Sequence, residues 1–86
     1  MPHYFFDLKD GKELYVDVDG HELDGDEGAQ RHALRYLIES TSDALSAAPG
    51  TRKLSVLVGD TNGVQLLIIT ASISFDIGRR GSIRLN

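Results

Sequence analysis

Two runs of strict alternation open the chain. From His3 to Leu8, Tyr4, Phe6 and Leu8 alternate with His3, Phe5 and Asp7; from Lys12 to Val18, Leu14, Val16 and Val18 alternate with Glu13, Tyr15 and Asp17. A period of two belongs to a strand, whose successive side chains point to opposite faces. Between the runs, Lys9-Asp10-Gly11-Lys12 predicts a hairpin turn, because Asp-Gly tolerates the positive φ angles of a primed turn. The first members of each set are expected to share one aliphatic and aromatic face. Phe5 and Tyr15 then meet across the strands on the other face, among charges.

From about Asp26 to Ala48 the period changes. At ~100° per residue, Ala33, Leu34, Leu37, Ile38, Thr41, Ala44, Leu45 and Ala48 share an arc next to Ala29. Arg31, His32, Arg35, Glu39, Ser42, Asp43 and Ser46 fall opposite, on the solvent side. This predicts an amphipathic helix with one buried stripe, ended by Pro49, which cannot continue helical bonding. Arg52 to Val58 and Val64 to Phe75 follow as strands around Asn62-Gly63, again strong hairpin chemistry. The second run outlasts the first, so Thr70 to Phe75 is expected to need another neighbour.

The fold class expected is therefore α+β, in the order β-β-α-β-β, with an antiparallel sheet and one helix packed on one face. Residues 1–77 form a single domain. Residues 78–86, with Arg79, Arg80 and Arg84, form a flexible basic tail or a short added strand.

Composition narrows the function classes. At 86 residues the chain is near the size at which one core is only just sufficient. It has no cysteine, which removes disulfides and thiolate metal sites. The opening Met-Pro-His-Tyr-Phe-Phe lacks the basic and apolar regions of a signal peptide, and the uncharged stretch Thr61 to Phe75 is too short and polar to span a bilayer. A cytoplasmic protein without membrane contact is expected. Residues 1–27 hold nine acids and two lysines, a charge of −7, against an overall −4. Such a balance disfavours nucleic acid, which demands a concentrated basic face.

Six carboxylates crowd between Asp17 and Glu27. A calcium loop places acidic or amide ligands at positions one, three and five, glycine at six and an acid at twelve. With Gly20 at six, Tyr15 falls first; with Gly25 at six, Gly20 falls first and Arg31 last. Neither register works. Asp17, Asp19, Glu22 and Asp24 remain the candidate ligands for a weakly held divalent ion. Turn and cap chemistry accounts for the same residues: Asp19-Gly20 ends a strand, and Asp24 with Glu27, or else Asp26, caps the helix. His3, His21 and His32 show no ligand spacing, and His32 sits on the solvent arc with Tyr36 one turn on. Nucleophile elbow, phosphate loop and dinucleotide fingerprint are all missing from the sequence, so no enzyme and no cofactor is expected.

The opening Met-Pro-His-Tyr-Phe-Phe-Asp-Leu-Lys-Asp-Gly, then Asp-Val-Asp-Gly-His-Glu-Leu, then a helix beginning Asp-Glu-Gly-Ala-Gln-Arg-His-Ala-Leu, resembles a family of small uncharacterised alphaproteobacterial proteins. The resemblance runs from about Met1 to Ile69. Asp24-Gly25 stands where that family carries Pro-Asp, and Gly28-Ala29-Gln30 where it carries Ala-Ala-Arg. The family is a domain of unknown function, so the resemblance implies an architecture and no activity.

The leading expectation is a non-enzymatic interaction or regulatory module acting as a homodimer. Its interface is expected to involve Leu66, Ile68, Ile73 and Phe75 of the last strand with Phe5 and Tyr15, an apolar, uncharged set on a strand that outruns its partner. The alternatives are a ligand- or divalent-ion-binding protein using residues 17–27, and a nucleic-acid-associated protein using the arginine tail.

Overall fold

The computed structural model describes residues 1–47 and 50–75, so the expected tail at 78–86 and the Phe75 side chain lie outside the described residues. Its elements are β1 (His3–Asp10), β2 (Glu13–Tyr15), β3 (His21–Glu22), α1 (Asp26–Ala47), β4 (Gly50–Gly59) and β5 (Gln65–Phe75). The strands form one antiparallel sheet in the order β2-β1-β4-β5, with β3 also paired to β1. The α+β class holds. The two-residue β3 adds a strand that no alternation announced.

The core lies between the helix and one sheet face. Tyr4, Phe6 and Leu8 of β1 and Leu54, Val56 and Val58 of β4 meet Ala29, Ala33, Leu37 and Ala44 of α1. Alanine at three of these four helix positions lets α1 settle close against the larger strand side chains. Leu67, Ile69, Ala71 and Ile73 of β5 extend the same face, half-buried.

Three expectations change. The first hairpin turns on Gly11-Lys12, because Asp10 pairs with Glu13, and Gly11 alone takes a positive φ of 59°. Any two-residue turn here pairs odd positions of one strand with even positions of the other, so Tyr15 and not Leu14 shares the face of Leu8, opposite to the expected arrangement. Tyr15 now pairs with Leu8 on the helix side, and Leu14 pairs with Lys9 on the open side, 55% exposed. The second change is a rotation of α1: Leu34 and Ile38 are 50% and 59% exposed, while His32 and Tyr36 turn inward to half-burial. Phe6 explains the inward turn, since its ring lies 4.5 Å from that of His32 and offers an aromatic neighbour on the β1 side.

The third change concerns the last hairpin. β4 begins at Gly50 and pairs along the full length of β5, from Gly50 opposite Phe75 to Gly59 opposite Gln65, so no overhang exists toward β4. A bulge at Val58/Gly59 makes Leu66 the extra residue. Asp60 builds the turn: its Oδ1 accepts the Asn62 and Val64 amides, both at 2.9 Å, and Gly63 takes a φ of 78°.

Leu54, 1% exposed, and Leu14, 55% exposed, test which side chains face the helix. Leu54→Ala should cost about 2–5 kcal/mol of stability in urea unfolding. Leu14→Ala should change it by no more than about 0.5 kcal/mol. A large loss at Leu14 would place Leu14, and not Tyr15, on the helix side.

Candidate functional site

β1 is flanked on one side by two short strands with a gap between them. β2 covers Leu8 to Asp10 and β3 covers His3 and Tyr4, which leaves Phe5, Phe6 and Asp7 beside the non-strand segment Val16 to Gly20. Two carboxylates close the gap. Asp17 accepts the Phe6 amide on Oδ2 and the Gly20 amide on Oδ1, both at 3.0 Å, while Asp7 accepts the Asp17 amide at 2.9 Å. Each acid thus satisfies backbone on the opposite segment, which a strand ladder would otherwise do. Gly20 completes the fit: with φ 72°, a Cβ there would stand 2.7 Å from the Tyr4 carbonyl oxygen. His3 Nε2 bonds the Asp19 carbonyl at 2.7 Å, and the Leu23 amide donates to the Pro2 carbonyl at 3.0 Å.

Held this way, the loop walls an open pocket of about 400 Å³ against α1. Phe6, Tyr15, His21, His32 and Tyr36 supply its rings; Val16, Val18, Asp17 and Asp19 supply its outer wall. His21 and His32 approach to 4.6 Å between centroids, with Phe6 at 5.8 Å and 4.5 Å from them respectively. Asp17 Oδ2 is 3.9 Å from His21 Nε2. Burial lowers the His32 pKa, and the nearby His21 and Arg35 lower it further, against weaker pulls upward from Asp17 and Glu39. Burial raises the Tyr36 pKa, helped by the negative charges of Asp17 and Asp7.

The expected ion ligands are dispersed. Asp17 gives both oxygens to amides, whereas Asp19, Glu22 and Asp24 are exposed. Among the described residues, no three of His, Asp and Glu gather in a geometry that would hold a metal ion. The cap differs from expectation too. Gly25, at φ 108°, receives the first helical bond from the Ala29 amide at 3.0 Å, and Asp26 instead accepts the Tyr4 hydroxyl at 2.9 Å. That hydroxyl bond competes for the carboxylate that would otherwise cap. Burial, then the Asp26 bond and charge, raises the Tyr4 pKa.

The six expected interface residues do not share one surface. Phe5 and Ile68 are on the open sheet face, where Ile68 pairs with Leu57. Tyr15 lies in the pocket, and Ile73 packs toward the core. Leu66, carried by the bulge, lines a recess with Tyr4, Asp26, Ala29 and Gln30 on the helix side. A different surface was hidden from the sequence. Leu34 and Ile38, with Arg31, Arg35 and Glu39 around them, lie exposed on the side of α1 away from His32 and Tyr36. His32 and Tyr36 were also missed; their signal was a position one step beside Ala29, Ala33 and Leu37 on the helical wheel.

The fold and its surfaces define a small domain in which one helix lies across an antiparallel sheet, with an aromatic pocket at one margin and, at the other, a strand edge without a partner among the described residues. The chain belongs to DUF6894, a family of domains of unknown function, whose model matches residues 3–72. No curated protein and no solved structure matches it. Membership agrees with the uncharacterised family expected, and the match runs past Ile69. No helix among the described residues is long and apolar enough to cross a membrane.

Removing the Asp17 side chain strips two amides of their acceptor. Asp17→Ala should cost about 2–3 kcal/mol in chemical unfolding, and Asp19→Ala should stay within about 0.5 kcal/mol. Equal losses would show that Asp17 has no special bracing role.

His32 makes stability depend on pH. The unfolded chain binds a proton near the ordinary histidine pKa of about 6.5, whereas folded His32 resists it, so its contribution is full above that pH. Stability should therefore decline as pH falls from about 7 toward about 5. His32→Phe should reduce this decline, measured as urea midpoints at both pH values. Identical declines in both proteins would rule out the lowered pKa.

Proposed function

We propose that this domain is a non-catalytic interaction module that works as a homodimer, associating through the β5 margin. The observation that carries the reading is the outer edge of β5: eleven residues with no partner strand among the described residues, beside exposed Leu34 and Ile38 on the helix flank. An uncharged strand with open amides and carbonyls invites pairing, and adjoining aliphatic side chains give that pairing apolar area to bury. A small core without disulfides also gains from burial between subunits. The pocket chemistry supports an interaction role over divalent-ion binding, since the Asp17 oxygens already serve amides. The arginine tail, on which the nucleic-acid alternative rests, lies outside the described residues.

Sedimentation at high micromolar concentration should give twice the 9.4 kDa chain mass. Ile38→Glu should shift the protein toward monomer while keeping its unfolding cooperative. A monomer at high micromolar concentration for the unaltered chain defeats the proposal.

A further inference from the structure

The dimer reading can be given a geometry, because two features locate the same symmetry axis. The first is the level of the helix beside the strand. β4 runs back from α1 and β5 runs back from β4, so α1 and β5 point the same way. Ala29 and Gln30 share a recess with Leu66 and Leu67, which fixes their relative height. From there Thr70 lies ~12 Å along β5, at ~3.3 Å per residue. The same distance along α1 is about eight residues, at ~1.5 Å each, which brings the helix to Leu37. Thr70 is also the midpoint of β5, Gln65–Phe75.

The second feature is lateral distance. α1 packs chiefly on β4 and β5 and only lightly on β1. A helix above the β4–β5 gap stands ~5 Å from the outer edge of β5, given strand spacings of about 4.8 Å. Two copies joined at that edge set their helices ~10 Å apart, the upper end of ordinary helix packing distances. The side chains that would fill the space are Leu34 and Ile38, the two large aliphatics that α1 leaves exposed.

We infer that two copies of this chain join β5 to β5 in antiparallel fashion about an axis through Thr70, making one continuous sheet with Leu34 and Ile38 of both helices packed across the axis. The inference rests on the homodimer reading and adds the register to it. Thr70 then lies opposite its own copy, with its Oγ1 already held by Ser55 Oγ at 2.8 Å, and Ile68 lies opposite Ser72.

The chain has no cysteine, so a single introduced thiol reports on its symmetry mate alone. Directly opposed residues on antiparallel strands approach closely enough for a disulfide. Thr70→Cys should give a covalent dimer under mild oxidation. Ile68→Cys and Ser72→Cys should each cross-link poorly alone, yet form a mixed disulfide when the two proteins are combined, which covers a failure of the Thr70 variant to fold. A dimer by sedimentation that cross-links at none of these positions overturns the register and leaves the homodimer reading standing. A monomer by sedimentation, without cross-links, overturns both.

Discussion

The exchange of carboxylates between Asp17 and Asp7 governs the organisation of this small domain. β1 lies inside the sheet, yet its flank away from β4 has strands only at its two ends. An amide such as that of Phe6, left without a partner beside the core, costs as much as a lost hydrogen bond. Asp17 supplies that partner from a segment that is not a strand, and Asp7 answers by holding the segment's own backbone. The fixed loop in turn sets position: His21 and Tyr15 are brought over Phe6, and the pocket gains a wall. The acid-rich stretch is therefore a brace first, and its charge also bears on Tyr36 and His32 behind it.

How far the sequence was readable depends on how many residues carry each signal. Patterns that repeat over many residues survived: the two long strands around Asn62-Gly63, the helix, and the alternation in β1 all stand where periodicity put them. Features that depend on a single residue did not. Leu14 and Val16 lie exposed because a two-residue turn pairs even positions of one strand with odd positions of the other, a parity that the two alternating runs do not reveal separately. The rotation of α1 was hidden because Leu34 and Ile38 outweigh His32 and Tyr36 on any hydrophobicity count. Only contact with Phe6 decides between those flanks. The bulge that parts Leu66 from Ile68 is similarly invisible until β4 is laid beside β5.

The two margins of the sheet have different chemistry. Beside β1, aromatic rings and carboxylates frame a recess with no apolar strand edge. At β5, the outer edge has no partner strand among the described residues, and the helix exposes Leu34 and Ile38. The open sheet face between them is mixed: Phe5, Leu57 and Ile68 give way to Lys9, Lys53, Ser55 and Thr70. Family membership adds no activity to this distribution.

The place of β1 in the sheet also bears on how the chain acquires its shape. β4 and β5 are joined by a short turn and can zip locally, whereas Phe6 finds Val58 only across more than half the chain. Closing so distant a contact costs chain entropy before any burial rewards it, which slows folding relative to the hairpin. During synthesis, β1 emerges first and waits, with Tyr4, Phe6 and Leu8 uncovered and one long edge open, until β4 leaves the ribosome. The short strands β2 and β3 and the Asp17 brace involve only the first part of the chain, so one edge of β1 is guarded throughout that wait.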